Sequence, residues 1–249
     1  MQNQASFKHH QAGRHCPHPS RKKTSDLGFS LIELAVVLCI TSMMLVTTLH
    51  GKELYAASQV KTMANELRAL SVAMYMFQDK YKALPGDDAS ASSHFNAPLT
   101  SNGNGNMRIE GNWFDTGATS EASQAWLHLR LAGLEKGSTS TNDPGYMPTN
   151  FSGGFIGMQS GSSNILQSPI IDVAGSPIAG NYIACSRGIT GKTALELDNL
   201  MDDGNPGTGK IMATPDNSSY ALGAPAATLR TGGTTDLNPA STYIVCAAV

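Results

Sequence analysis

Residues 29–49 read FSLIELAVVLCITSMMLVTTL, an apolar run long enough to cross a hydrocarbon core as one helix and carrying a single charge, Glu33. Arg21, Lys22 and Lys23 stand just before it. The tendency of basic flanks to stay in the cytoplasm predicts one pass, with the C-terminal bulk exported across the membrane. The first 28 residues hold five basic side chains against Asp26, so they are +4, and the remainder of a chain of net charge -2 is -6. An acidic exported part with no basic run offers no bulk attraction to nucleic acid, which is therefore not an expected partner.

The helical pattern continues past the apolar run. Val60, Met63, Leu67, Leu70, Met74, Phe77 and Tyr81 recur at spacings of three and four, an apolar stripe down one face, while Lys61, Glu66, Arg68, Asp79 and Lys80 fall on other faces. One helix is predicted from about Phe29 to about Tyr81, apolar all round at first and then amphipathic. Leu84-Pro85-Gly86-Asp87 ends it, since proline cannot continue the hydrogen-bond ladder and restricts its predecessor. A second helix is expected over 121–132, with Ser120 as N-cap and Gly133 after its last turn. The stretch 89–117, rich in Ser, Asn and Gly, reads as a long loop or minor β element. Short strands are predicted near 154–159, 165–173, 182–186, 210–213 and 242–247, between Gly, Pro and Asn. Residues 193–201 form a short helix, with Thr193 and Glu196 spaced as a capping box.

Of four cysteines, Cys16 lies in the basic leader and Cys39 in the apolar run, which leaves Cys185 and Cys246 in the exported part, where a pair reads as a disulfide. Tyr182-Ile183-Ala184-Cys185 and Tyr243-Ile244-Val245-Cys246 share the pattern Tyr-Ile-x-Cys. In strands, Ile and Cys take one face and Tyr the other. Two buried free thiols are the alternative. Asn102, Asn104 and Asn106 have the i, i+2, i+4 spacing of a calcium loop, but all are neutral amides, Met107 stands where glycine belongs and Trp113 where a bidentate Glu belongs. A polar turn is the better reading. The pairs Asp87-Asp88 and Asp202-Asp203 read as turn residues beside glycine. His9, His10, His15, Cys16 and His18 form a metal-like tract without a folded frame. No nucleophile elbow, His-Glu-x-x-His pair or phosphate loop is present, so no enzymatic activity is expected, and His128 reads as a surface or packing residue.

Gly28-Phe29-Ser30-Leu31-Ile32-Glu33, after a short basic segment and before an uninterrupted apolar run, resembles the class III signal of type IV pilins and of type II secretion pseudopilins. The resemblance implies cleavage by a prepilin peptidase between Gly28 and Phe29, N-methylation of Phe29, and Glu33 as the fifth mature residue. Glycine before the cut leaves the backbone free to enter a narrow protease site. A carboxylate inside a spanning helix costs on the order of 3 kcal/mol by insertion scales. The resemblance supplies its partner, the new terminal amine of a neighbouring subunit's Phe29. The alternatives are a Glu33 that snorkels at the membrane edge and a conventional secretory signal ending near Ala56 to Ser58, although such apolar regions are usually about 7 to 15 residues and lack an embedded Glu.

Tyr81-Lys82-Ala83-Leu84-Pro85-Gly86-Asp87, Trp126-Leu127-His128-Leu129, Ala132-Gly133-Leu134 and the segment from Leu197 to Pro206 resemble a subgroup of minor pilin-like proteins, and the paired cysteines resemble the C-terminal disulfide region of type IV pilins. His50 and Gly51 stand where many major pilins have a proline. The implied architecture is α+β, a long N-terminal helix packed on an antiparallel sheet. Its parts are a leader over 1–28, a transmembrane and filament-core helix over 29–50, an amphipathic continuation over 51–82 and a soluble region over 83–249. The implied partners are the peptidase, other pilin or pseudopilin subunits, and an assembly platform with its ATPase. The implied location is the inner membrane, with the C-terminal domain in the periplasm, and then a filament. A secretion pseudopilin, or a filament-tip module for adhesion or DNA uptake, is the alternative function.

Overall fold

The computed structural model describes residues 28–96, 102–217, 222–226 and 237–249, excluding the side chains of 46–53. Residues 1–27, which hold the His and Cys tract and all but the last residue of the expected leader, lie outside that set. Helix α1 spans Leu31–Tyr81 and runs through His50 and Gly51. The chain divides into two units, Met1–Thr48 and Leu49–Val249, and α1 contributes to both.

In the second unit the expected stripe is the buried one. Val60, Met63, Leu67, Leu70, Met74 and Phe77 are in the core, joined by Ala64 and Ala73, whereas Lys61, Glu66, Arg68, Asp79 and Lys80 are exposed. Fully burying side chains of this size stabilises by roughly 1.5–3 kcal/mol each, so this face, rather than helix propensity, holds the segment. The helix stops at Lys82, which takes a left-handed backbone (φ 55°), and Leu84 and Pro85 follow buried. Next come α2 (Ala91–His94) and α3 (Glu121–Leu131). Gly133 follows α3 with φ 75°, and the Leu134 N–H returns to the Leu129 carbonyl at 2.9 Å, satisfying an open helix end.

The main sheet is four-stranded and antiparallel throughout. It comprises β1 (Ile156–Ser160), β3 (Tyr182–Thr190), β4 (Ile211–Pro215) and β6 (Thr242–Ala248), in the order β1-β3-β6-β4. A bulge between Ser186 and Ile189 in β3 contains Gly188 at φ 74°. One sheet face carries Tyr182, Ala184, Ile189, Tyr243, Val245 and Ala247 into the core shared with α1, α3 and α4 (Gly191–Met201). The other carries Ile183, Cys185, Ile244 and Cys246 against Trp113, Ile170 and Ile178.

Two local expectations are corrected. Residues 165–173 are not one strand but a 3-10 turn, Ile165–Gln167, followed by the two-residue β2, Ile170–Ile171, which pairs in parallel with β5, Ala224–Pro225. Asn164 accepts the Leu166 N–H and tightens that turn, and Pro169 has no N–H to extend a ladder. Helix α4 begins earlier than residue 193, and its cap is Thr190, whose Oγ1 accepts the Thr193 N–H; the Thr193–Glu196 box does not form. The stretch 89–117 holds α2 and, among its described residues, no strand.

Candidate functional site

Gly28, Phe29 and Ser30 precede α1, and the Leu34 N–H donates to the Ser30 carbonyl at 3.2 Å as the first helical bond. A Cβ at Gly28 would meet nothing within 4 Å. Glu33 sits in the first turn, where a carboxylate complements the partial positive charge of the open N–H groups. Around it the apolar side chains are uncovered: Phe29 is 76% exposed and Leu31 87%, and Ile32, Leu34, Val36, Val37, Leu38 and Ile40 are also exposed. The expected span over 29–50 ends among residues whose side chains are not described. Among the described residues, no helix is long and apolar enough to cross a membrane.

The sheet register sets Cys185 directly opposite Cys246, with Cα atoms 4.0 Å apart, and a disulfide joins them. Both are fully buried on the face away from α1. Cys39, in the apolar run, is free and exposed.

The Asn-rich loop is organised around a carboxylate rather than around its amides. Asp87, fully buried, accepts the N–H groups of Gly105 at 2.6 Å, Asn106 at 3.1 Å and Met107 at 2.6 Å. Glu121 accepts those of Asn104 and Glu110 at 3.0 and 2.9 Å, and burial raises its pKa. The oxygens of Asn102, Asn104 and Asn106 accept the N–H groups of Ser92, Asn106 and Arg108. The amides of Asn104 and Asn106 donate to Glu110, both at 2.9 Å. The close fit needs glycine twice. A Cβ at Gly103 would lie 2.1 Å from the Asp87 carbonyl carbon, and one at Gly86 (φ 88°) 2.3 Å from the Glu121 carbonyl oxygen. Ser120 occupies the α3 N-cap position, but its hydroxyl donates to Asp115 instead of capping.

His128 is fully buried, a packing residue in the core. Its Nδ1 accepts the Gly86 N–H at 2.9 Å, so the neutral ring carries its proton on Nε2. Phe77 stacks on it and Phe95 tilts against it. Burial pushes its pKa down to about 4, against a smaller upward pull from Asp88, which is itself paired with His94 at 2.6 Å. Because the folded pKa lies below the ordinary 6.5, folding excludes a proton that the unfolded chain binds. The contribution is intact above about pH 6.5 and is lost as pH falls towards 4, amounting to about 3 kcal/mol in all. Denaturant titrations of the full chain in detergent at pH 7 and pH 4.5 should show a smaller loss for His128→Gln than for the wild type; equal losses would contradict this assignment.

At the C-terminal end of α4, Asp198 joins Asp202 and Asp203, with one carboxylate oxygen of each within 4.8 Å of the others. Asp202 accepts the Lys210 and Ile211 N–H groups, and Asp203 the Asn205 N–H and the Thr208 hydroxyl. Asp198 escaped the reading of the Asp pair as a turn because it lies a full helical turn earlier. The i, i+4 spacing of Asp198, on the predicted helix, and Asp202, just past its end, was the available signal. No protein-family model, curated protein or solved structure matches this chain.

Proposed function

We propose that this chain is a structural subunit of a type IV pilin-like filament, a minor pilin, stored in the inner membrane as a precursor and assembled after cleavage between Gly28 and Phe29. One observation carries the reading. A helix that begins two residues after Phe29 exposes apolar side chains on every face from Leu31 to Leu45 and holds one carboxylate, Glu33, in its first turn. Such a surface requires lipid or other helices to cover it. A carboxylate within it requires a cation, which N-terminal cleavage creates on the neighbouring subunit. The apolar helix start with its single carboxylate, the amphipathic continuation packed on a disulfide-closed antiparallel sheet, and the absence of catalytic motifs in the sequence all suit an assembling subunit rather than an enzyme. Val72, Tyr75 and Met76 add a second exposed apolar strip at helical spacing for lateral contacts.

A pseudopilin would use the same helix with different partners. Mass spectrometry of the membrane form co-expressed with a prepilin peptidase is expected to find an N-methylated Phe29 terminus. Glu33→Ala is expected to leave cleavage intact and reduce incorporation into filaments at least tenfold. A mature terminus at Met1 or beyond Ser58, or normal incorporation of the variant, would reject the proposal.

A further inference from the structure

The carboxylates at the end of α4 have a feature that turn residues alone do not explain. Asp198 is fully buried, and neither of its side-chain oxygens has a hydrogen-bond partner. The Gly204 and Asn205 amides and the Asp203 carboxyl lie close to it but outside hydrogen-bond geometry, and the two amides pull its pKa down. Burial and the charges of Asp202 and Asp203 outweigh them and push it up to about 7. Its oxygen lies within 4.8 Å of oxygens from both those residues. The three also gather at a helix C-terminus, where the open carbonyls already present partial negative charge. An unpaired buried carboxylate is unfavourable unless a cation or proton meets it.

We propose that Asp198, Asp202 and Asp203 form a calcium site that ties the end of α4 to the start of β4. The donor set is oxygen only, which selects a hard cation. Calcium accepts the irregular oxygen geometry that three carboxylates of one turn offer, whereas magnesium demands a near-ideal octahedron and gives up its waters reluctantly. The turn is already shaped from the far side: Asp202 holds the first N–H groups of the returning chain, at Lys210 and Ile211, and Asp203 holds Asn205 and Thr208. Both carboxylates thus hold the turn, and each keeps an oxygen within 4.8 Å of one of Asp198. Gly209, at φ 83°, lies so close that a Cβ there would meet Asp202 Oδ2 at 2.1 Å. The proposal stands apart from the filament reading, since it needs only the folded second unit.

The test uses the full chain in detergent, melted in EDTA, in calcium and in magnesium at equal concentration, beside Asp198→Asn and Asp203→Asn. Calcium at about a hundred times its dissociation constant is expected to raise the wild-type Tm by about 5 °C or more. Equilibrium dialysis should find at least one more bound calcium per wild-type chain than per variant chain. Asp198→Asn should abolish the shift. Asp203→Asn, at an exposed position, should weaken calcium binding at least tenfold and serves as the readout if Asp198→Asn does not fold. No calcium shift in the wild type, an equal shift from magnesium, or a full calcium shift in a folded variant would overturn the assignment.

Discussion

Asp87→Ala is expected to destabilise the unit Leu49–Val249 by about 4 kcal/mol and to release the loop over 102–110. The Asp87 side chain accepts three backbone N–H groups, two of them at 2.6 Å. Hydrogen bonds to an ionised acceptor contribute about 1.5–3 kcal/mol each. The low end of that range applies, because Gly105, Asn106 and Met107 are exposed and water would reach part of what the carboxylate leaves. The loop also holds Met107 at φ 63°, a conformation that costs a non-glycine residue free energy and persists only while something fixes it. Here that is Asp87 Oδ2 on the Met107 N–H. Two measurements check the prediction: the denaturant midpoint of the full chain, and hydrogen exchange at Gly105, Asn106 and Met107. A midpoint change equivalent to less than about 1 kcal/mol, with protection retained at those amides, would show that the neighbouring Glu121 and Asn contacts hold the loop without Asp87.

Removing the disulfide through Cys185→Ala with Cys246→Ala is expected to cost about 4 kcal/mol in the chain-entropy account, because the bond closes a loop of sequence separation 61. The native contacts around it change little in kind. Ile183, Ile244, Met212 and Trp113 remain to fill that side of the sheet, so the loss arises mainly from a freer unfolded chain. The double variant should therefore still fold, with its four-strand register intact but a lower denaturant midpoint. Because both sulfurs are buried, reductant should act on the wild type only when it unfolds. Rapid reduction under native conditions, or a double variant as stable as the wild type, would contradict this account.

The sequence was most legible where a periodic pattern met a single burial boundary. The stripe from Val60 to Phe77 was fixed by spacing alone because one side of α1 faces a core and the other does not. The same holds for Tyr-Ile-x-Cys, where strict alternation in β3 and β6 separates Tyr182 and Tyr243 from the cysteines. It was least legible where polar side chains choose among competing backbone partners. The Asn-rich stretch read as a polar turn, but nothing local indicated that Asp87, eighteen to twenty residues earlier, would collect its amides. Residues 165–173 carried strand-like apolar residues, and the Asn164 cap with Pro169 overrode them. Thr193 was the cap expected for α4. The choice went to Thr190 because β3 runs directly into the helix.

By itself, then, the order of residues determined the long helix, the apolar character of its first half, the lone Glu33 within it, and which strand faces would carry sulfur. All of these follow from periodicity and composition over neighbouring positions. Only the tertiary structure decided that His128 would be buried against Gly86, that Asp87 would organise a distant loop, and that Asp198 would lose its solvent beside two other carboxylates. Those outcomes depend on which segments approach one another, and desolvation, unlike periodicity, is a property of the neighbours rather than of the residue.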